Sequence, residues 1–253
     1  MTLDTASPLK AWPYPRWIAH RGAGTLAPEN TLAAFRKGAE YGYRMFECDA
    51  KLSADDVVFL MHDATLQRTS NGQGIGGEQN WQQLSQLDAG SWHSRHFSGE
   101  PLATLANLAQ YCIRNQFHLN IEIKPTPGVE FKTGETVAQQ AAHLWQYEKV
   151  PPLLTSFQVE SLKGAQQAAP HLPRGLLLHS LTEGWLETAK RLSCSAIVCQ
   201  YALWTPEMVL AVHGAGMRCL SYTVNDEWAA QHLIALGTDG IITDRVDAFS
   251  PAT

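Results

Sequence analysis

No stretch of this 253-residue sequence approaches the roughly 18 consecutive apolar residues that a membrane-spanning helix requires. The first 15 residues also lack the apolar segment of a secretory signal, and they carry Asp4 and Lys10 instead. We therefore expect a cytoplasmic protein that has no stable membrane association.

Positive charge is scarce as well. Lysine and arginine together number 19 against 24 acidic residues, which gives a formal net charge of -5. No Lys/Arg-rich stretch concentrates the cations, so the counterion release that drives nucleic-acid binding is missing. We predict no nucleic-acid partner, and an anionic substrate would need cations placed locally at its site.

The five cysteines are odd in number and scattered, and they lack the paired C-x-x-C spacing of zinc sites. We interpret them as reduced structural thiols. Hydrophobic residues make up 45% of the chain, which is enough for a sizeable core, and α/β barrels commonly have this length. One domain over residues 1–253 is therefore predicted.

Short apolar runs alternate with segments of helical periodicity, a pattern typical of βαβ units around a parallel sheet. Strands are predicted at residues 17–20, 45–49, 57–62, 118–123, 153–156, 175–179, 196–199, 219–224 and 240–243. Helices are predicted at residues 29–41, 103–114, 135–147, 160–169, 182–191, 206–213 and 226–236, with Asn225 as the N-cap of the last.

Open doubly wound sheets show the same alternation, so the positions of the polar residues decide between the two folds. They follow the carboxyl ends of several different strands, which is where (β/α)8 barrels build their active sites. We therefore predict an α/β fold, a (β/α)8 TIM barrel with one extra strand. Residues 64–100 interrupt the alternation and are rich in Gly, Gln, Ser and Trp. They are predicted to form a small inserted subdomain over the barrel mouth.

Two strands carry acidic side chains. Glu47 and Asp49 flank Cys48, so both carboxylates point to one face of the strand. Glu122 and Lys124 repeat this spacing in another apolar strand. A Glu-Lys ion pair beside a solvated acidic strand end is one interpretation. The other is a divalent cation, because buried carboxylates need a positive partner, and an all-oxygen ligand set favours Mg²⁺, Ca²⁺ or Mn²⁺ over zinc.

His20 and His62 each end an apolar strand, next to Arg21 and Asp63 respectively. A lone histidine in such a place is more often a core residue than a catalyst, but here there are two. Histidine transfers protons near neutral pH, and arginine matches a pair of phosphate oxygens. The two histidines are therefore predicted to be catalytic.

Further motifs surround these residues, and the ordered set resembles the glycerophosphodiester phosphodiesterase family from about residue 16 to residue 246. The similarity is greatest to the short bacterial cytoplasmic members. The motifs are His20-Arg21-Gly22, Pro28-Glu29-Asn30-Thr31, Glu47-x-Asp49, His62-Asp63, Arg68-Thr69-Ser70-Asn71-Gly72, Glu122-Ile123-Lys124, Thr223-Val224-Asn225 and Asp239-Gly240-Ile241-Ile242-Thr243-Asp244.

The resemblance implies metal-dependent hydrolysis of glycerophosphodiesters to glycerol 3-phosphate and an alcohol such as choline, ethanolamine or glycerol. It implies that Glu47, Asp49 and Glu122 hold one divalent cation and that the two histidines form an acid/base pair. Phosphate would be bound by Arg21 and Lys124. The resemblance also suggests that a glycerol hydroxyl of the substrate attacks first, and that water then opens the cyclic phosphate.

Two other functions fit parts of this pattern. A phospholipase D of the sphingomyelinase type shares the barrel and a similar metal and histidine arrangement, and Trp81 and Trp92 would then form a small apolar lid. A non-catalytic barrel binder would keep the fold without turnover. Tyr222 stands where the family usually has Trp before Thr-Val-Asn, so the sequence leaves the head group open.

Overall fold

The apolar runs of the sequence form nine strands in the computed structural model, which describes residue 9 and residues 11–251. The strands are β1 (Trp17–Ala19), β2 (Met45–Leu52), β3 (Val58–Leu60), β4 (His118–Ile123), β5 (Leu153–Ser156), β6 (Arg174–Leu178), β7 (Ala196–Gln200), β8 (Arg218–Tyr222) and β9 (Gly240–Thr243). The expectation of no export signal falls mostly on residues 1–8 and 10, which lie outside the described residues.

Eight of the strands are parallel and close into a barrel. Their order is β1-β9-β8-β7-β6-β5-β4-β2, and pairing of Ala19 with Phe46 joins the two ends of the sheet. The extra strand is β3, which runs antiparallel along the end of β2, with Ala50 opposite Leu60. The predicted TIM barrel with one additional strand is thus confirmed.

Eight α-helices accompany the strands within the described part of the chain. They are α1 (Leu32–Glu40), α2 (Trp81–Leu84), α3 (Leu105–Arg114), α4 (Glu130–Leu144), α5 (Val159–Ala168), α6 (Trp185–Arg191), α7 (Pro206–Gly214) and α8 (Glu227–Leu236). No helix among the described residues is both long and apolar enough to cross a membrane.

Six of the seven predicted helix starts differ from the structure, and the largest shift is in α4, which begins at residue 130 rather than 135. Two of the shifts, in α1 and α8, involve residues at the carboxyl end of the barrel. Helix α1 begins at Leu32 rather than at residue 29, because Asn30 has a left-handed backbone and Thr31 provides the N-cap. The N-cap of α8 is Asp226, whose side chain accepts a hydrogen bond from the Ala229 amide. The predicted cap, Asn225, instead binds Asp244.

The alternation of side chains along each strand separates two apolar cores. One lies between the barrel and the helices, and it contains most of the buried side chains. The other fills the amino half of the barrel interior, where the Tyr14 hydroxyl donates to the Pro151 carbonyl across the barrel's amino end. The carboxyl half of the barrel interior is thus left to polar side chains, as barrel enzymes require.

Residues 64–100 contain α2 and two short 3₁₀ turns, at 76–78 and 95–97. They pack over a small apolar cluster in which Leu66 and Leu84 meet Phe59 and Met61 of the preceding strand region. Several contacts join them to the first βα unit: for example, Glu100 accepts a hydrogen bond from the Ala33 amide, and His93 is bonded to the Thr25 carbonyl. That this segment is an inserted subdomain stays a prediction.

Candidate active site

Three carboxylates lie together inside the carboxyl half of the barrel. Strand β2 supplies Glu47 and Asp49, and β4, its parallel neighbour, places Glu122 directly beside Asp49. One oxygen from each carboxylate lies within 4.8 Å of the other two. Glu47 and Asp49 are buried. The carboxylates that the sequence placed on two separate strands form one cluster because β2 and β4 pair in this register.

The electrostatics of this cluster favour a cation. Burial, reinforced by Asp49, raises the pKa of Glu47 to about 8. Burial and Asp49 likewise raise the pKa of Glu122. The pKa of Asp49 is lowered despite its burial, chiefly by Arg21. Oxygen Oε1 of Glu47 is buried without a hydrogen-bond partner. Because hard divalent cations take oxygen ligands, this set of donors fits Mg²⁺, Ca²⁺ or Mn²⁺.

The two predicted phosphate-binding cations lie beside the carboxylates. Nε of Arg21 is 3.2 Å from Asp49 Oδ2, and Nζ of Lys124 donates to Glu122 Oε1 over 2.7 Å. The Arg21 amide also donates to Glu47 Oε2. Arg21 has a φ of 50°, in the left-handed region that non-glycine residues rarely adopt. This backbone conformation brings both the amide and the guanidinium of Arg21 to the cluster.

His20 is held by a carboxylate on its Nδ1 side. Nδ1 lies 2.6 Å from Asp244 Oδ1, and because an ionised carboxylate only accepts, Nδ1 carries the proton. Nε2 then faces the cluster, 3.8 Å from Glu47 Oε2. Burial acts to lower the pKa of His20, but Asp244 and Glu47 outweigh it and the pKa is raised. Asn225 fixes Asp244 through two hydrogen bonds, one to its carboxylate and one from its amide.

His62 has the same arrangement at the end of a different strand. Its Nδ1 lies 2.8 Å from Asp63 Oδ1, which again leaves Nε2 free to act on a substrate. Burial lowers the pKa of His62, with Arg21 adding to the effect and Asp49 opposing it. The two histidines therefore present the same nitrogen, each backed by its own carboxylate.

The family resemblance suggests that Glu29 and Asn30 support the first strand end structurally. Asn30 donates to Asp49 Oδ2 and accepts from the Asp49 amide, so the strand that it supports is β2. The sequence predictions missed other residues of this site. Asp244 belongs to a predicted motif but had no predicted role. Lys51 is buried on the same face of β2 as Glu47 and Asp49, and it donates to the Lys124 carbonyl. Its burial lowers its pKa to about 8. Extending the alternation of β2 by two residues would have found it.

A cavity of about 380 Å³ opens beside the cluster and is lined by His62, Glu122, Lys124 and Phe157, among others. The Lys124 ammonium lies 5.5 Å from the centre of the Phe157 ring, which in turn meets Tyr222 edge to face. A larger cavity, of about 610 Å³, lies at the amino end of the barrel and contains none of the predicted site residues. Chemistry rather than size therefore identifies the site.

A second group of potential ligands, His213, Cys219 and Asp239, lies at the amino end of β8 and β9. Asp239 is already paired there with His213 at 2.8 Å and with Arg218 at 2.7 Å. The guanidinium supplies the positive charge that the carboxylate needs, so this group is an ion-pair network rather than a second metal site.

The chain is similar to known proteins over most of its length. Residues 20–248 match the Glycerophosphoryl diester phosphodiesterase family. A glycerophosphodiester phosphodiesterase of Caldanaerobacter subterraneus subsp. tengcongensis is 33% identical over 90% of this chain and 93% of its own length. Two solved structures are each 30% identical to the chain. The first is a phosphodiesterase of Oleispira antarctica in complex with the product sn-glycerol-3-phosphate. Its TM-score is 0.85, and the match covers 91% of this chain and 93% of the Oleispira chain. A glycerophosphodiester phosphodiesterase of Agrobacterium tumefaciens has a TM-score of 0.78 over 94% of this chain and 100% of its own.

Proposed function

The chain belongs to the glycerophosphoryl diester phosphodiesterase family, and from this premise we propose that its paired histidines and three carboxylates carry out the hydrolysis. The predicted enzyme class is confirmed: the protein is a glycerophosphodiester phosphodiesterase that acts on a small-molecule substrate. The observation that supports assigning this activity to individual residues is the placement of His20 and His62 around one carboxylate cluster, each with a carboxylate on Nδ1.

Glu47, Asp49 and Glu122 are the proposed ligands of one divalent cation, which is Mg²⁺, Ca²⁺ or Mn²⁺. The family is metal-dependent, and the unpartnered oxygen of Glu47 supports this ligand set. Such an ion, when bound, supplies positive charge to a phosphate oxygen and to an attacking oxygen.

Arg21 and Lys124 are the proposed phosphate-binding residues. Both lie within hydrogen-bonding distance of the carboxylate cluster, so a phosphate beside that cluster would be within reach of both cations. Arginine binds two phosphate oxygens at once, whereas lysine acts as a point charge. Together they offset the negative charge that develops on the phosphate oxygens in the transition state.

His20 and His62 are the proposed acid/base pair. Nε2 of one accepts the proton of the attacking hydroxyl group, and Nε2 of the other returns a proton to the oxygen of the departing alcohol. Asp244 and Asp63 keep Nδ1 protonated and the rings oriented. In the two-step route that the family resemblance suggests, a glycerol hydroxyl attacks first and water opens the cyclic phosphate with the roles exchanged.

The substrate assignment follows the relatives. The Oleispira antarctica enzyme was solved with sn-glycerol-3-phosphate as its product, and we propose the same product here. The alcohol would leave toward the wall formed by Phe157 and Tyr222, beside the cavity at Lys124. Residues 1–253 are proposed to be one domain with residues 64–100 inserted. A reducing cytoplasmic location is proposed too, supported by five buried cysteines that are all free.

The experiment is a hydrolysis assay with purified protein and glycerophosphocholine, with Mg²⁺, Mn²⁺ or Ca²⁺ added and with EDTA as the metal-free arm. Release of glycerol 3-phosphate should require a divalent ion. His20→Ala and His62→Ala should each lose at least about 10²-fold in kcat, whereas His96→Ala, at an exposed position, should retain full activity. Full turnover by either site variant would refute the histidine roles. Hydrolysis of sphingomyelin instead of glycerophosphocholine would favour the phospholipase.

A further inference from the structure

Arg68 belongs to the segment 64–100, and its guanidinium reaches the site. Nη1 and Nη2 donate to the two oxygens of Glu29, over 2.7 and 2.8 Å. Nε and Nη2 donate to the two oxygens of Asp63, over 2.6 and 3.1 Å. The Arg68 side chain is 43% exposed, yet all three of its nitrogens are hydrogen-bonded. One guanidinium therefore joins the turn before α1 to the loop after β3.

Both of these carboxylates have a second partner in the proposed site. Oε1 of Glu29 accepts from Nη1 of Arg21 over 2.8 Å, and Oδ1 of Asp63 lies 2.8 Å from Nδ1 of His62. The hydrogen bonds thus form one continuous path from Arg21 to His62, with Arg68 at its centre.

The charges make Arg68 necessary to this arrangement. Single exposed ion pairs contribute little to stability, but a guanidinium that binds two carboxylates bidentately fixes direction as well as distance. Arg68 is the largest influence on the pKa of Asp63, which is held well below its usual range. A permanently ionised Asp63 remains an acceptor and keeps the proton on Nδ1 of His62. Glu29, similarly ionised, keeps its hold on Arg21.

We propose that Arg68 is a positioning residue that sets the separation of phosphate-binding Arg21 from His62, and that supplying it is a function of the segment 64–100. The inference rests on the proposed function, in which Arg21 binds phosphate and His62 transfers a proton. Arg68 itself touches neither the carboxylate cluster nor, in the proposed mechanism, the substrate. Its effect on turnover passes through Glu29 and Asp63.

The test compares Arg68→Ala and Arg68→Lys with Arg95→Ala, which removes an exposed arginine of the same segment. Steady-state kinetics on glycerophosphocholine with saturating divalent ion should show a loss of about 10- to 100-fold in kcat/KM for Arg68→Ala. Both kcat and KM should change, because one arm of Arg68 orients the histidine and the other orients the phosphate-binding residue. Lysine cannot bind two carboxylates bidentately, so Arg68→Lys should remain impaired. Arg95→Ala should match the unsubstituted protein.

Two further measurements separate positioning from a general loss of structure. Low concentrations of guanidinium ion should restore part of the activity of Arg68→Ala and leave Arg95→Ala unaffected. In a double-mutant cycle, Arg68→Ala should cost much less in an Asp63→Asn background than alone, because the two residues act on the same histidine. Additive losses without guanidinium rescue would assign Arg68 to stability only and overturn the inference.

The kinetics of the His62, Arg21 and Arg68 variants distinguish a wrong positioning role for Arg68 from wrong roles for the proposed catalytic residues. If His62→Ala and Arg21→Ala keep normal kinetics, the proposed roles are wrong and the network has no catalytic meaning. If those variants are inactive while Arg68→Ala behaves like Arg95→Ala, the proposed function stands and Arg68 is not a positioning residue.

Discussion

The carboxylate of Asp244 lies 2.6 Å from Nδ1 of His20, although 224 positions separate the two residues in the chain. They meet because β1 and β9 are neighbours in the barrel, with Ala19 directly beside Thr243. The residue that follows each strand therefore lies at the same point of the barrel rim. Asn225, which follows β8, holds Asp244 from the other side.

Asp244→Asn should lower kcat by about 10- to 100-fold with little change in KM, because an amide no longer guarantees the proton on Nδ1 of His20. Steady-state kinetics at saturating divalent ion measure this. Asp247→Asn is the matched control, since Asp247 is an exposed residue paired with Arg245. Equal kcat values for the two variants would show that Asp244 does not orient the histidine.

Gly24→Ala should impair both stability and activity. Gly24 has a φ of 56°, and a Cβ there would overlap the backbone of Asp244. Gly99 also has a positive φ, of 86°, but a Cβ there meets nothing within 4 Å. Gly99→Ala should therefore cost only the backbone strain, about 1 to 2 kcal/mol. Urea unfolding and kcat are measured on both variants, and the difference between them gives the effect of the Cβ overlap at Gly24. A Gly24→Ala protein no worse than Gly99→Ala would contradict the close approach.

Asn30→Ala should destabilise the metal-free protein by about 1 to 3 kcal/mol, because the buried Asp49 loses a donor and its amide loses an acceptor. Divalent-ion affinity should fall by about 10-fold as Asp49 becomes free to rotate. Asn30 has a φ of 60°, so Gln116→Ala, at an exposed residue with a φ of 57°, controls for backbone strain. Urea unfolding and calorimetric titration give both quantities. If the two variants lost the same free energy of unfolding and the same ion affinity, the hydrogen bonds between Asn30 and Asp49 would have no measurable effect.

The metal-free protein should become less stable as pH rises through the window set by Glu47. Its pKa is raised from 4.5 to about 8 on folding, so within that window the folded state holds more protons than the unfolded state, and stability falls with increasing pH. A bound divalent ion replaces the proton and should remove this fall. The free energy of unfolding in urea, measured across this pH range with and without Mn²⁺, tests the prediction.

The same proton can be counted directly. Calorimetric titration of a divalent ion in buffers of different ionisation enthalpy should show proton release below about pH 8. Glu47→Gln should reduce the release, whereas Glu40→Gln, on the surface of α1, should leave it unchanged. Ion binding without proton release in the unsubstituted protein would show that Glu47 is already ionised.

The barrel and its carboxylate cluster followed from the sequence because both depend on alternation along strands. Glu47 and Asp49 must share a face whatever the rest of the chain does, and the carboxyl ends of parallel strands must meet at one rim. His20 was found by the same rule. His62 was predicted by it too, but His62 follows the antiparallel β3 and reaches the site because β3 runs back along the end of β2. Local order along the chain was sufficient for each of these predictions.

The partners of the supporting residues escaped prediction because loops and closure of the ring determine them. Asn225 precedes a helix and has the side chain of an N-cap, but the arrival of Asp244 gives it a different partner and Asp226 takes the cap. Asn30 sits in a predicted helix, yet a left-handed backbone turns it toward Asp49. Arg68 has no periodic pattern around it, so nothing in the sequence pointed it to Glu29 and Asp63.

Closure of the barrel also sets the order in which activity can arise during synthesis. The first histidine is made near the start of the chain and its carboxylate is made near the end, on the strand that completes the ring. A nascent chain can carry both histidines and all three acids and still be unable to orient His20. Full turnover in this protein should therefore require that β9 has paired with β1, since only that pairing brings Asp244 to His20.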